Sequence, residues 1–99
     1  MTLDELEAIE LTYLTGGPVE LIGVLSNFGT NDILVERLWS AAMTATYGPT
    51  GLHQSWRNPD GTPTLDAIAL LPSVSRGMRS AIATIQDTLN LIRYRLSQA

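Results

Sequence analysis

Apolar residues recur near the start of the chain at Leu3, Leu6, Ile9, Tyr13 and Leu14, the three- and four-residue spacing of one helical face. Thr2 and Glu5 form a capping-box pair at its start, and Asp4, Glu5 and Glu7 sit where a helix N-terminus favours acids. Gly16-Gly17 and then Pro18 stop the pattern, so a first helix is expected over roughly 3–15. Val19, Leu21, Ile22, Val24 and Leu25 then point nearly all round, which predicts a short buried segment. A helix opened by Pro18 and a buried strand both fit a run of that length.

Thr30 or Asn31 is the expected cap of a third segment over roughly 31–47. Leu34, Leu38, Ala41 and Ala45 form one face, flanked by Val35, Trp39 and Ala42. Gly48-Pro49 ends it. Residues 48–63, GPTGLHQSWRNPDGTP, are the one long irregular stretch. Its Asn58-Pro59-Asp60-Gly61 turn either closes a small β-hairpin, Leu52–Trp56 pairing towards Thr62–Leu65, or lies in an irregular loop. Helix resumes at Leu65–Leu71, is broken by Pro72, and runs again from Ser73 to about Ser97.

The last helix carries the most organised pattern in the chain. Met78, Ile82, Ile85, Leu89, Ile92 and Leu96 alternate in steps of four and three, a short heptad-like seam. Such a seam packs within the domain's own bundle or between chains. A second face, Gly77, Ala81, Thr84 and Thr88, is small enough for another backbone to come close. Together these segments predict one all-α domain over residues 1–99. It is a small bundle of four or five helices, with one long loop or short β-hairpin around residues 48–63.

Composition changes this picture in three ways. Charged residues are 16% of the chain, below the usual quarter or so, which leaves more apolar surface uncovered than average. The six basic residues are all arginine, in keeping either with planar, stacked contacts or with a G+C-rich gene. The net charge of −4 is unevenly spread. Residues 1–45 hold seven acids and one arginine, a net of −6, and residues 46–99 hold five arginines and three acids, a net of +2. Two arrangements follow: the acidic half packs beside the basic half inside one fold, or copies stack head to tail as a ring or column.

Candidate chemistry is sparse. With no cysteine there is no disulfide, zinc–thiolate site or thiol nucleophile. His53, the single histidine, lies near Ser55 and Asp60 in the loop, but any small polar loop supplies such neighbours, and no catalytic residue is assigned. Glu7 and Glu10 share a helical face without the histidines that di-metal bundles pair with such acids, so no metal ligand is assigned. GPTG lacks the Lys and Ser/Thr of a phosphate loop, and no cofactor is expected. Nucleic acid is disfavoured: only Arg57, Arg76 and Arg79, with Trp56 for stacking, stand against an acidic remainder. The N-terminus has neither the basic start nor the apolar run of a secretion signal, and no run approaches 18 apolar residues. The sequence therefore leads us to expect a soluble, cytoplasmic protein, or part of a particle assembled there, without a membrane span.

Protein contact is what remains. Trp and Arg dominate binding hot spots, and Tyr47, His53, Trp56 and Arg57 cluster around the loop. Arg76, Arg79, Arg93 and Arg95 extend the candidate surface along the last helix, where Arg93 and Arg95 also complement the helix dipole. The expected role is a non-enzymatic structural or adaptor subunit that self-associates or joins a larger complex, such as a phage or virus particle. One alternative is a small inhibitor or regulator of a single partner, with its epitope around Tyr47–Arg57. The other is a small-molecule-binding bundle with Trp39, Trp56 and Tyr13 around a pocket.

Overall fold

Helix α1 (Leu3–Leu25) begins with the reciprocal cap its sequence encodes. The Thr2 hydroxyl accepts from the Glu5 amide at 3.1 Å, and the Thr2 amide donates to the Glu5 carboxylate at 2.8 Å. Donation from the Thr2 amide, and then from the Thr2 side chain, to the ionised form holds the Glu5 carboxyl below its ordinary pKa. At Gly17 the backbone takes φ 73° and ψ −167°, a region open essentially only to glycine, and Pro18 begins the next helical turns. The segment 19–25 is thus helix, not strand. It continues α1 beyond a sharp bend.

The computed structural model describes residues 1–29 and 32–98. The cap expected at Thr30 or Asn31 lies outside the described residues. Asp32 caps α2 (Ile33–Tyr47), its side chain accepting from the Leu34 amide at 2.8 Å. At Gly48 the backbone reaches φ 76°, and its amide closes α2 by donating to Thr44 O at 2.9 Å. A single 3₁₀ turn follows (Gln54–Trp56), then α3 (Leu65–Leu70), capped by the Thr64 hydroxyl, and α4 (Pro72–Ser97). Leu71 is extended, as a residue before proline must be, and Pro72 occupies the first turn of α4. The break expected at Pro72 is where the two helices part.

Of the two arrangements open for this stretch the hairpin does not form: no strand exists among the described residues. Residues 57 and 63 make one antiparallel bridge, supported by Thr64 N–H to Trp56 O at 2.8 Å and Asn58 N–H to Thr62 O at 2.7 Å. The Leu52–Trp56 arm has too little backbone to pair, because it is spent on the 3₁₀ turn.

The core is built from α1, α2 and α4. Leu6, Ile9, Leu21, Leu38 and Ile85 are fully buried, with Leu25 and Leu89 nearly so. The α2–α4 interface is the most extensive. The buried stripe of α4 is Val74, Ala81, Ile85, Thr88, Leu89 and Ile92. That stripe straddles the heptad seam and the small face, because the small residues admit α2 closely. Ile85, Leu89 and Ile92 of the seam are buried, Met78 and Leu96 are half-buried, and Ile82 is 44% exposed. Buried Thr88 is satisfied by donating to Thr84 O at 2.7 Å.

The bend at Gly17 divides the duties of α1. Its first half lies on the C-terminal part of α4, where Tyr13 and Leu14 share a cleft with Gln86 and Leu89. Its second half lies on α2, with Val19 near Ala45–Tyr47 and Leu25 near Val35 and Trp39. The molecule measures 47 × 25 × 21 Å, with a radius of gyration of 14.3 Å against about 13 Å for a compact chain of this length.

Candidate interaction surfaces

Arg57, singled out as a contact residue, has an internal use. Its guanidinium donates to Tyr47 O, to Gly61 O at 2.9 Å, to Leu52 O at 3.2 Å and to Pro49 O at 3.3 Å. These carbonyls come from the end of α2 and from both sides of the loop. One planar cation thereby gathers a segment that contributes almost no apolar burial of its own. Trp56 is half-buried beside it, as is Tyr47, whose ring packs near Gly61.

His53 and Ser55 make a local turn. The Ser55 amide reaches His53 Nδ1 at 3.1 Å, and the Ser55 hydroxyl lies 2.8 Å from the same nitrogen. With Nδ1 accepting from the amide, the ring caps its own 3₁₀ turn. Asp60 is engaged elsewhere: it accepts from the Thr62 hydroxyl at 2.6 Å and the Thr62 amide at 3.0 Å, which lowers its carboxyl pKa. The three polar groups near one another in sequence are therefore not brought into one constellation. Among the described residues no three acids or histidines are grouped so as to hold a metal ion.

The charge segregation resolves partly inside the fold. Arg93 pairs with Glu10 across α4 and α1, the one ion pair among the described residues. Arg76, Arg79 and Arg95 are exposed on α4, and Arg79 bonds only to the Ser75 carbonyl of its own helix, at 3.4 Å.

Three aromatic side chains expected around one pocket lie apart. Trp39 lines an apolar groove of about 480 Å³ with Leu25, Phe28 and Val35, whereas Tyr13 lines a separate cleft of about 160 Å³. Trp56 borders neither. A third, shallow groove between α2 and α4 has Arg37, Ser40 and Thr44 facing Gly77, Ser80 and Thr84.

The surface has one property that sequence reasoning understated. Large apolar side chains stand in water on α1 (Leu3, Leu11, and Leu14 at 80% exposure), on α2 (Ile33 at 74%) and on α3 (Leu65 at 85%, and Leu70). Leu3–Leu25 is long enough and apolar enough to cross a membrane by length and composition, although polar residues interrupt its apolar runs. That helix bends at Gly17, and its Leu6, Ile9, Leu21 and Leu25 are buried in the core.

No family model, curated protein or solved structure matches this chain. The class is therefore defined by the fold alone: an all-α protein, elongated, built on three principal helices.

Proposed function

We propose that this chain is a non-enzymatic structural or adaptor subunit, acting through protein–protein contacts in a larger assembly such as a phage or virus particle. The observation that supports the reading is the amount and kind of surface left uncovered. The chain exposes 6197 Å², roughly 700 Å² more than is usual for a monomer of its mass. A standard protein interface takes about 800 Å² from each partner. The uncovered surface includes large aliphatic side chains on three helices, the kind of material a partner covers.

The test is the state of the chain in the cells that make it. Extract is fractionated by size without purification, and the chain is followed with an antibody. The assembly reading expects the chain in fractions far heavier than one copy. Elution of all the chain at single-copy size overturns it.

A further inference from the structure

We infer that the chain forms a symmetric dimer through one surface, made from the uncovered part of the α4 seam and the outer face of α1; the inference rests on the assembly reading and names its first partner as a second copy of this chain. The seam of α4 runs from Met78 to Leu96, but α1 covers only its C-terminal part. Glu10 meets Arg93, and Leu14 lies beside Gln86 and Leu89. At Gly17 the chain then leaves α4 for α2. Ile82, one helical turn before Gln86, is thereby left 44% exposed, although it holds a seam position.

The outer face of α1 continues this apolar strip. Glu7, Leu11 and Leu14 occur at i, i+4 and i+7, so they share one face, and both leucines are more than half exposed. The combined strip reads Arg79, Ile82, Gln86, Leu14, Leu11, Glu7: a base at one end, an acid at the other, and three apolar side chains with one neutral amide between. A strip of that polarity is complementary to itself when a second copy is turned by 180°. Arg79 of each copy then meets Glu7 of the other, Ile82 meets Leu11, and Gln86 and Leu14 meet at the axis. This is the isologous pattern of a two-fold dimer. Neither Arg79 nor Glu7 has an ion-pair partner among the described residues. The surface the chain carries in excess is close to what each side of such an interface takes out of water.

The experiment is light scattering on the purified full chain over a wide concentration range. The wild type is expected to have the mass of two chains, falling to one on dilution. Ile82→Arg is expected to give a single-chain mass throughout. Ile33→Arg, on an exposed apolar residue outside the strip, is expected to leave the dimer intact. Arg79→Glu and Glu7→Arg are each expected to weaken the dimer at least tenfold, and the double variant to restore it. A wild type that stays a single chain overturns the inference, as does a dimer that survives Ile82→Arg or that the double charge swap does not restore. A single chain that instead floats with phosphatidylcholine vesicles, and loses this with Ile82→Arg, assigns the strip to a lipid surface and overturns the dimer. In each of these failures the antibody experiment on extracts still decides the assembly reading independently.

Discussion

The two ends of this molecule are held together by different physics. Around Leu38, Ile85 and Leu89, order comes from apolar side chains removed from water, each worth about 1.5–3 kcal/mol. Around residues 49–62 no side chain is buried, and order comes from hydrogen bonds: short local ones such as Asp60 with Thr62, and one guanidinium bonded to four carbonyls. The first kind of order is redundant, because many contacts share the load. The second has its largest share in one residue, Arg57, which bonds the loop to the end of α2.

The largest single-site effect is still expected on the apolar side, because a truncated buried side chain leaves a cavity that its neighbours close only in part. Leu38→Ala should cost about 2–5 kcal/mol, read as a lower midpoint in urea unfolding with an unchanged slope. On the other side, Arg57→Lys keeps the charge but loses the planar fork, at a cost of about 1.5–3 kcal/mol. Its signature should be regional. Amide exchange should accelerate across residues 48–63 while α2 and α4 keep their protection. Uniform acceleration in both regions would erase the distinction between the two ends.

Gly48→Ala tests the seam between the regions. Its φ of 76° disfavours any side chain, and an added Cβ would lie 2.9 Å from Pro63 Cγ. A loss of about 1–3 kcal/mol is expected. Gly23→Ala, with open space at the Cβ position and no positive φ, should cost nothing comparable.

The smallest effects separate the ends by pH. Asp60 titrates below its ordinary range because Thr62 donates to its ionised form. Its contribution to stability is present above the ordinary carboxylate pKa of about 4 and lost as pH falls through the lowered value. Tyr13 titrates above its ordinary range because burial penalises the phenolate. The fold therefore loses stability as pH rises past about 10, where the unfolded chain ionises first. Thr62→Ala should flatten the acid limb of the stability–pH curve and Tyr13→Phe the alkaline limb. An alkaline limb unmoved by Tyr13→Phe would contradict the burial assigned to that ring.

Much of the helical part was legible because its signals are local. Thr2 with Glu5, Gly17 before Pro18, and Pro72 after Leu71 each set a boundary through bonds within a few residues. Segment 19–25 is ambiguous in sequence because its apolar run has no period; in the fold it is helix, opened by Pro18 and packed on α2. The seam was read one strip too far round. Ile82 fits the heptad, yet Ala81 and Thr88 draw α2 towards the small face and shift the buried stripe away from it. Arg57 reads in the sequence as a contact residue of an exposed loop, and its internal acceptors are carbonyls up to ten residues away. A usable signal existed: a loop of glycines and prolines has carbonyls without partners, and an arginine in its midst is the nearest multiple donor. Tyr47, His53, Trp56 and Arg57 do gather at one end, while Arg76, Arg79, Arg93 and Arg95 spread along α4 rather than forming one patch.

Helix α4 has 26 residues, a length of about 39 Å along a molecule 47 Å long. Its only proline is in the first turn, and no residue inside it departs from helical geometry. It works as a spine: one rigid strut shared by the loop end, near Gly77, and the end where Arg93 meets Glu10. The strut itself is unbroken, and the interruption in the helical framework lies not in α4 but in α1, at Gly17.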